Sequence, residues 1–198
     1  MKIGNVEISS KLALAPMAGV TDPAFRTICR EMGAGLTCSE MVSAKALCYG
    51  DQKSRQLLKK AWGESPYAVQ IFGSDPVCMG EAAQIASELS GADILDINMG
   101  CPVGKVVKSG DGSALMRDEE TAARVISAVV KSVSIPVTVK IRKGWDKGNV
   151  NAVSFAQMAQ SCGVSAIAVH GRTRVQMYSG TADWNIIRDV KAALEIFF

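Results

Sequence analysis

One pattern limits the folds open to this chain more than any other: short β-branched runs recur about every thirty residues, each followed by a stretch with helix signals. The runs are Leu12–Met17, Leu36–Val42, Tyr67–Phe72, Asp93–Ile97, Val137–Ile141 and Ser165–Val169. Between and after them, Asp22 and Pro23 open a helix over Ala24–Met32 that Gly33 and Gly35 end, and Ser43–Tyr49 reads as a short helix before the solvated charge run Asp51–Lys60. Ser74 or Asp75 caps a helix over Val77–Leu89 that stops at Gly91; further helices are expected near Asp118–Lys131, Asn149–Cys162 and Trp184–Ile196. Strands alternating with helices call for a parallel α/β sheet, because parallel neighbours need a crossover connection. The natural candidate is a (β/α)8 TIM barrel, incomplete here, with about six βα units present. A doubly wound sheet is the competing architecture, but no strand-to-helix turn carries G-x-G-x-x-G and there is no P-loop.

At 198 residues, 48% hydrophobic and 21% charged, the chain can bury one sizeable core, and no apolar stretch reaches the length needed to span a bilayer. The formal charge of +3 is far below the basic density that announces a nucleic-acid binder. Six cysteines without a CxxC pair, and no secretory leader before them, argue against disulfides and a structural metal and point to a reducing cytoplasm.

The chemistry concentrates in DILDINMGCPVGKVVKSGDGSALM, residues 93–116. An apolar strand ends at Asn98, and Gly100 and Pro102 hold Cys101 in an extended or turn geometry, which makes Cys101 the candidate reacting group. The glycine-rich loop that follows, with Lys105 and Lys108, suits an anionic ligand, and a helix is expected only from Asp118. The other five cysteines, Trp145 and Trp184 read as packing residues. In a barrel, functional groups sit at the carboxyl ends of strands, where this chain carries Met17, Gln70, Asn98, Cys101, Lys140, Arg142 and His170. Gln70 alone reads as a satisfied buried amide. Lys140 lies inside the β-branched run VTVKIR, and a lysine there needs a ligand or a carboxylate to meet it. His170 is followed by Arg172 and Arg174, which shifts it toward anion binding.

Five segments together carry a resemblance: LAPMAGVTDPAFR ending at Arg26, VQIFGSDP (69–76), DINMGCPVGKVVKSGDGSALM (96–116), VKIRKGWD (139–146) and VHGRTRVQMYSGTADW (169–184). In this order they resemble the tRNA-dihydrouridine synthases, more closely the bacterial B-type branch. The resemblance implies an FMN-dependent reductase that takes hydride from NADPH and saturates the C5–C6 bond of particular uridines in tRNA. It implies that Pro16, Met17 and Ala18 line the flavin, that Gln70, Lys140 and His170 contact it, and that Asn98 and Arg142 face the target uracil. Cys101 fits as proton donor, since a thiol with a reference pKa of about 8.5 is mostly protonated at neutral pH. Arg172, Arg174, Lys105 and Lys108 would meet phosphates of a tRNA whose target base is extruded. No metal and no membrane are implied, and the oligomeric state stays open.

Family members run well beyond 198 residues, so residues 1–198 are expected to be the N-terminal part of the flavin-binding barrel, without the helical C-terminal tRNA-binding domain. A seventh strand would begin near Glu195, and the FMN phosphate is expected after strands seven and eight. Weak FMN binding follows as an expectation, as do unpaired edges on the first and sixth strands, with Phe197 and Phe198 adding apolar surface that favours aggregation. Other FMN barrels that act on pyrimidines, and an inactive fragment keeping only an RNA-binding rim, are the alternative readings.

Overall fold

In the computed structural model, which describes residues 1–196, five parallel strands lie side by side in chain order: β1 (Thr37–Ser43), β2 (Tyr67–Phe72), β3 (Ile94–Met99), β4 (Val137–Arg142) and β5 (Ala166–His170). The helices are α1 (Pro23–Glu31), α2 (Ala44–Cys48), α3 (Gln52–Leu57), α4 (Pro76–Ser90), α5 (Gly104–Lys108), α6 (Glu119–Ser132), α7 (Ala152–Ser161) and α8 (Trp184–Ala192). This is an α/β fold of alternating βα units of the TIM-barrel type, present as an open arc. No helix among the described residues is long and apolar enough to cross a membrane.

Helix limits follow local chemistry. Asp22, Asp75 and Asp118 each accept a backbone N–H of the first turn of α1, α4 and α6, and Gly91 ends α4 with a φ of +58°. The period-two alternation of the strands then separates two faces. One face packs Val69, Ile71, Leu95, Ile97, Val139 and Ile141 against Ala82, Ala83 and Ala86 of α4 and Ala122, Val125, Ile126 and Val129 of α6 in the main core. The other face carries Gln70, Asp96, Asn98, Thr138, Lys140, Arg142 and His170 in neighbouring registers, Gln70 beside Asp96, Asn98 beside Lys140 and Arg142 beside His170. These seven polar residues therefore face the interior of the arc.

Several expectations need correction. Leu12–Met17 is extended but makes a single bridge to β1's leading edge, Ala13 to Leu36, because Pro16 has no N–H to continue a ladder. A hairpin of Lys2–Ile3 with Val6–Glu7 precedes it; Ile3 and Ile8 pack on Cys38, Ala68, Ile94 and Ala166 and close the amino end of the arc. The loop after Cys101 is not irregular: it holds α5 and a 3-10 turn over Gly112–Arg117. Asn149 and Val150 pair with Gly144–Asp146 across a turn at Gly148, so α7 begins only at Ala152. The charge run holds the exposed α3, capped by Asp51 on the N–H of Ser54 at 2.7 Å. Trp184 is 76% exposed, and Trp145 lies between the guanidinium groups of Arg117 and Arg174 at 4.8 and 4.9 Å, so neither is a core residue. Among the described residues β5 pairs only with β4. Phe197 and Phe198, expected to add apolar surface, lie outside the described residues.

Candidate active site

At the carboxyl end of β3, Asn98 organises the turn that carries the thiol. Its side-chain oxygen accepts the N–H of Gly100 at 3.1 Å and of Cys101 at 2.9 Å. Its amide nitrogen donates to Gln70 Oε1 at 2.9 Å, Gln70 Nε2 donates to Asp96 at 2.6 Å, and Thr138 donates its hydroxyl to the same carboxylate. Four side chains on three adjacent strands thus form one buried relay that ends at the backbone of Cys101. Gln70, which by itself reads as an amide satisfied by backbone, is satisfied by the Asp96 and Asn98 side chains.

The far side of the turn is held as firmly. The Cys101 carbonyl accepts from the Ser113 N–H at 3.1 Å and hydroxyl at 2.8 Å. Gly112, at φ +60°, allows this approach: a Cβ there would lie 3.0 Å from the Cβ and the carbonyl oxygen of Cys101. Arg142 is buried and donates to Gly100 O at 2.9 Å, Thr173 O at 2.9 Å and Met177 O at 2.8 Å. It ties the cysteine turn to the loop after β5.

A cavity of about 790 Å³ runs along the inner face of the sheet, with Ala13, Pro16, Asp96, Lys140, Ala168 and His170 in its wall; Cys101 and Arg142 are not among its lining residues. Burial pulls the Lys140 ammonium below the ordinary lysine range, and the nearby Asp96 only partly opposes this. Asp96 is itself raised by burial, against its hydrogen bonds from Thr138 and Gln70. Among the described residues the Lys140 ammonium makes no hydrogen bond and no ion pair within 4 Å. A cation of this kind, facing a cavity, is available to a ligand.

His170 is pushed from 6.5 to about 4 by burial and by the cationic Arg142, Lys140 and Arg172. Its ring is neutral near pH 7, and Arg172 lies 3.2 Å from Nε2, which fixes that nitrogen as acceptor and leaves the proton on Nδ1. Because the folded-state value is depressed, the unfolded chain binds more protons between pH 6.5 and 4, and stability falls as pH drops through that window. His170→Gln is expected to reduce this slope in thermal melts between pH 6.5 and 4; an unchanged slope would show that another group titrates there.

The other sequence candidates are less concentrated. Pro16 lines the cavity, whereas Met17 and Ala18 lie exposed on the loop before α1. Arg172 donates to Ser179 O at 3.2 Å and Gly180 O at 2.9 Å within its own loop, and Arg174 stacks on Trp145. Lys105 and Lys108 are exposed on α5. Sequence reasoning passed over Asp96, although the lysine that asked for a carboxylate, and the step of two from Asn98, both pointed to it. No cluster of three metal-ligating side chains occurs among the described residues.

The family model for dihydrouridine synthase (Dus) matches residues 13–198. The chain belongs to the dihydrouridine synthase family. It is 50% identical over 196 residues to tRNA-dihydrouridine synthase B of Xanthomonas campestris pv. campestris and 48% identical to tRNA-dihydrouridine synthase B of Pseudomonas aeruginosa. It is 49% identical over 200 residues to a probable tRNA-dihydrouridine synthase of Rickettsia conorii. Each alignment takes in 99% of this dihydrouridine synthase family chain and 59% of the relative, so the chain spans well under two thirds of the length of these proteins.

Proposed function

We propose that this site belongs to an enzyme that reduces the C5–C6 bond of uridine in tRNA, with FMN as resident cofactor, NADPH as its reductant and the cytoplasm as its compartment. The observation that carries the reading is the half-buried Lys140 ammonium, free of protein partners among the described residues, in the wall of an apolar cavity and in register with Asn98, which braces the Cys101 turn. These residues fit a flavin: Pro16 offers an apolar surface, Lys140 a positive charge and the neutral His170 an N–H donor. When bound, the flavin supplies hydride to one carbon of the uracil ring.

The remaining work falls to the chain. The Cys101 thiol donates a proton to the neighbouring ring carbon, and its position is held by Asn98 on one side and by Ser113 and Gly112 on the other. Asn98 and Arg142, both buried, hold the turn whose thiol a uracil would meet. The exposed Lys105 and Lys108, with Arg172 and Arg174 on the facing loop, supply positive charge for tRNA phosphates.

Two measurements test this reading. Titrating FMN into the chain should give saturable quenching of flavin fluorescence, weakened about 10–100-fold in Lys140→Met, the loss of one charge-assisted interaction. Incubation of the whole enzyme with NADPH and unmodified tRNA should form dihydrouridine. An FMN affinity unchanged in Lys140→Met would overturn the assignment of Lys140 to the cofactor, and equal reduction of free uracil would overturn tRNA as substrate.

A further inference from the structure

Across the rim from Cys101, two cysteines that lie thirty residues apart in sequence meet. Cys48 is the last residue of α2, and Cys78 is the third residue of α4, where its N–H is held by the Asp75 cap at 2.8 Å. Their sulfurs are 3.4 Å apart, and the Cys48 thiol also reaches the Cys78 carbonyl at 3.5 Å. No other pair of cysteine sulfurs among the described residues makes such a contact.

Both thiols line a second cavity, of about 820 Å³, whose wall also includes Lys45, Asp75, Glu81 and Asp111. Neither is fully buried, so a small molecule in that cavity can reach them. We infer that Cys48 and Cys78 form a dithiol site that closes to a disulfide by exchange with a small cationic organic disulfide. Three carboxylates against one lysine at the wall select for a cationic reagent over an anionic one.

The exchange balances in two steps. The Cys48 thiolate attacks one sulfur of the reagent disulfide, that S–S bond breaks, and one thiolate leaves and is protonated. The Cys78 thiolate then attacks the Cys48 sulfur, the mixed disulfide breaks, and the second thiolate leaves. The protein loses two protons and two electrons, and the reagent takes up both to become two thiols. Burial and the neighbouring Cys48 push the Cys78 thiol up to about 12, which suits it to the second, resolving position, where the attack is intramolecular.

The cross-link would join α2 to α4, the helices that follow β1 and β2. Ser109 and Asp111, which precede the Gly112 contact with Cys101, share the same cavity wall, so the bond would brace the rim next to the candidate active site. A transient redox bond of this kind is compatible with a reducing compartment. It does not depend on the proposed tRNA chemistry.

The test is to treat the purified chain with cystamine under native conditions and cleave it after glutamates, which places Cys48 in residues 41–64 and Cys78 in residues 65–81. Mass spectrometry should find these two peptides joined with the loss of two hydrogens. Cys78→Ser should instead accumulate a cysteamine adduct on Cys48, and Cys48→Ser should leave Cys78 unmodified. A stable adduct on Cys48 of the wild-type chain with no joined peptides would overturn the inference. So would the absence of reaction at both positions, which is the behaviour of thiols that only pack.

Discussion

Replacing Cys101 with alanine is expected to lower dihydrouridine formation in tRNA by about 10²–10⁴-fold, the range of a single positioned acid, while FMN binding and the melting temperature change little. The expectation rests on the absence of a substitute proton. The Asn98 amide is engaged by Gln70 and by the turn itself, and the Arg142 guanidinium donates to three carbonyls. His170 is held neutral by burial and surrounding cations. The thiol is half-buried, and its backbone is fixed from both sides, so removing the sulfur leaves the scaffold intact. Nucleoside analysis of tRNA after incubation with the whole enzyme reads the effect. Turnover equal to wild type would assign proton donation elsewhere.

Glu64→Ala is expected to cost about 3–5 kcal/mol of stability, the cost of leaving one partner of a buried ion pair uncompensated. Glu64 and Arg26 meet at 2.7 Å with each side chain 1% exposed, and Arg26 also donates to Thr21 O and Lys59 O at 2.8 Å. Thr37 and the N–H of Ala61 donate to the same carboxylate at 2.6 and 2.7 Å. The pair joins α1, the segment before β2 and the start of β1. Burial by itself would raise the Glu64 carboxyl, but the hydrogen bonds from Arg26, Thr37 and Ala61 outweigh it and leave the group below its usual 4.5. A depressed folded-state value stabilises the chain above pH 4.5 and is lost as pH falls through the folded value. Glu64→Ala should therefore melt far below wild type at pH 7, with a smaller difference in strong acid. Equal melting temperatures at pH 7 would remove Glu64 from the stability account.

The two largest misreadings of local structure have the same origin. Leu12–Met17 has a strand's composition, but a strand is defined by its partners, and only Ala13 finds one among the described residues. The stretch Asn149–Cys162 has helical periodicity, yet its first residues are claimed by a hairpin with Gly144–Asp146 that no periodicity announces. By contrast Tyr67–Phe72 was legible to the residue, because a short, mostly apolar run bounded by Pro66 and Gly73 has few other ways to fold. The Asp75 cap and the Gly91 stop of α4 were legible too, since capping is a local hydrogen-bond requirement.

The candidate site divides along the same line. Cys101 between Gly100 and Pro102, and Lys140 inside a β-branched run, stand out in the sequence because each conflicts with its neighbours: a turn interrupts a strand, and a charge interrupts a core. Local pattern thus determined the βα order, the candidate reacting residue and the residue in need of a partner. Tertiary structure alone decided that Asp96, Gln70 and Asn98 form one relay to the thiol, that Arg142 spans two loops, and that Cys48 touches Cys78. The reason is physical: hydrogen bonds and sulfur contacts act over about 3–4 Å, and which residues come that close depends on strand register and helix docking, which are settled across the whole sheet.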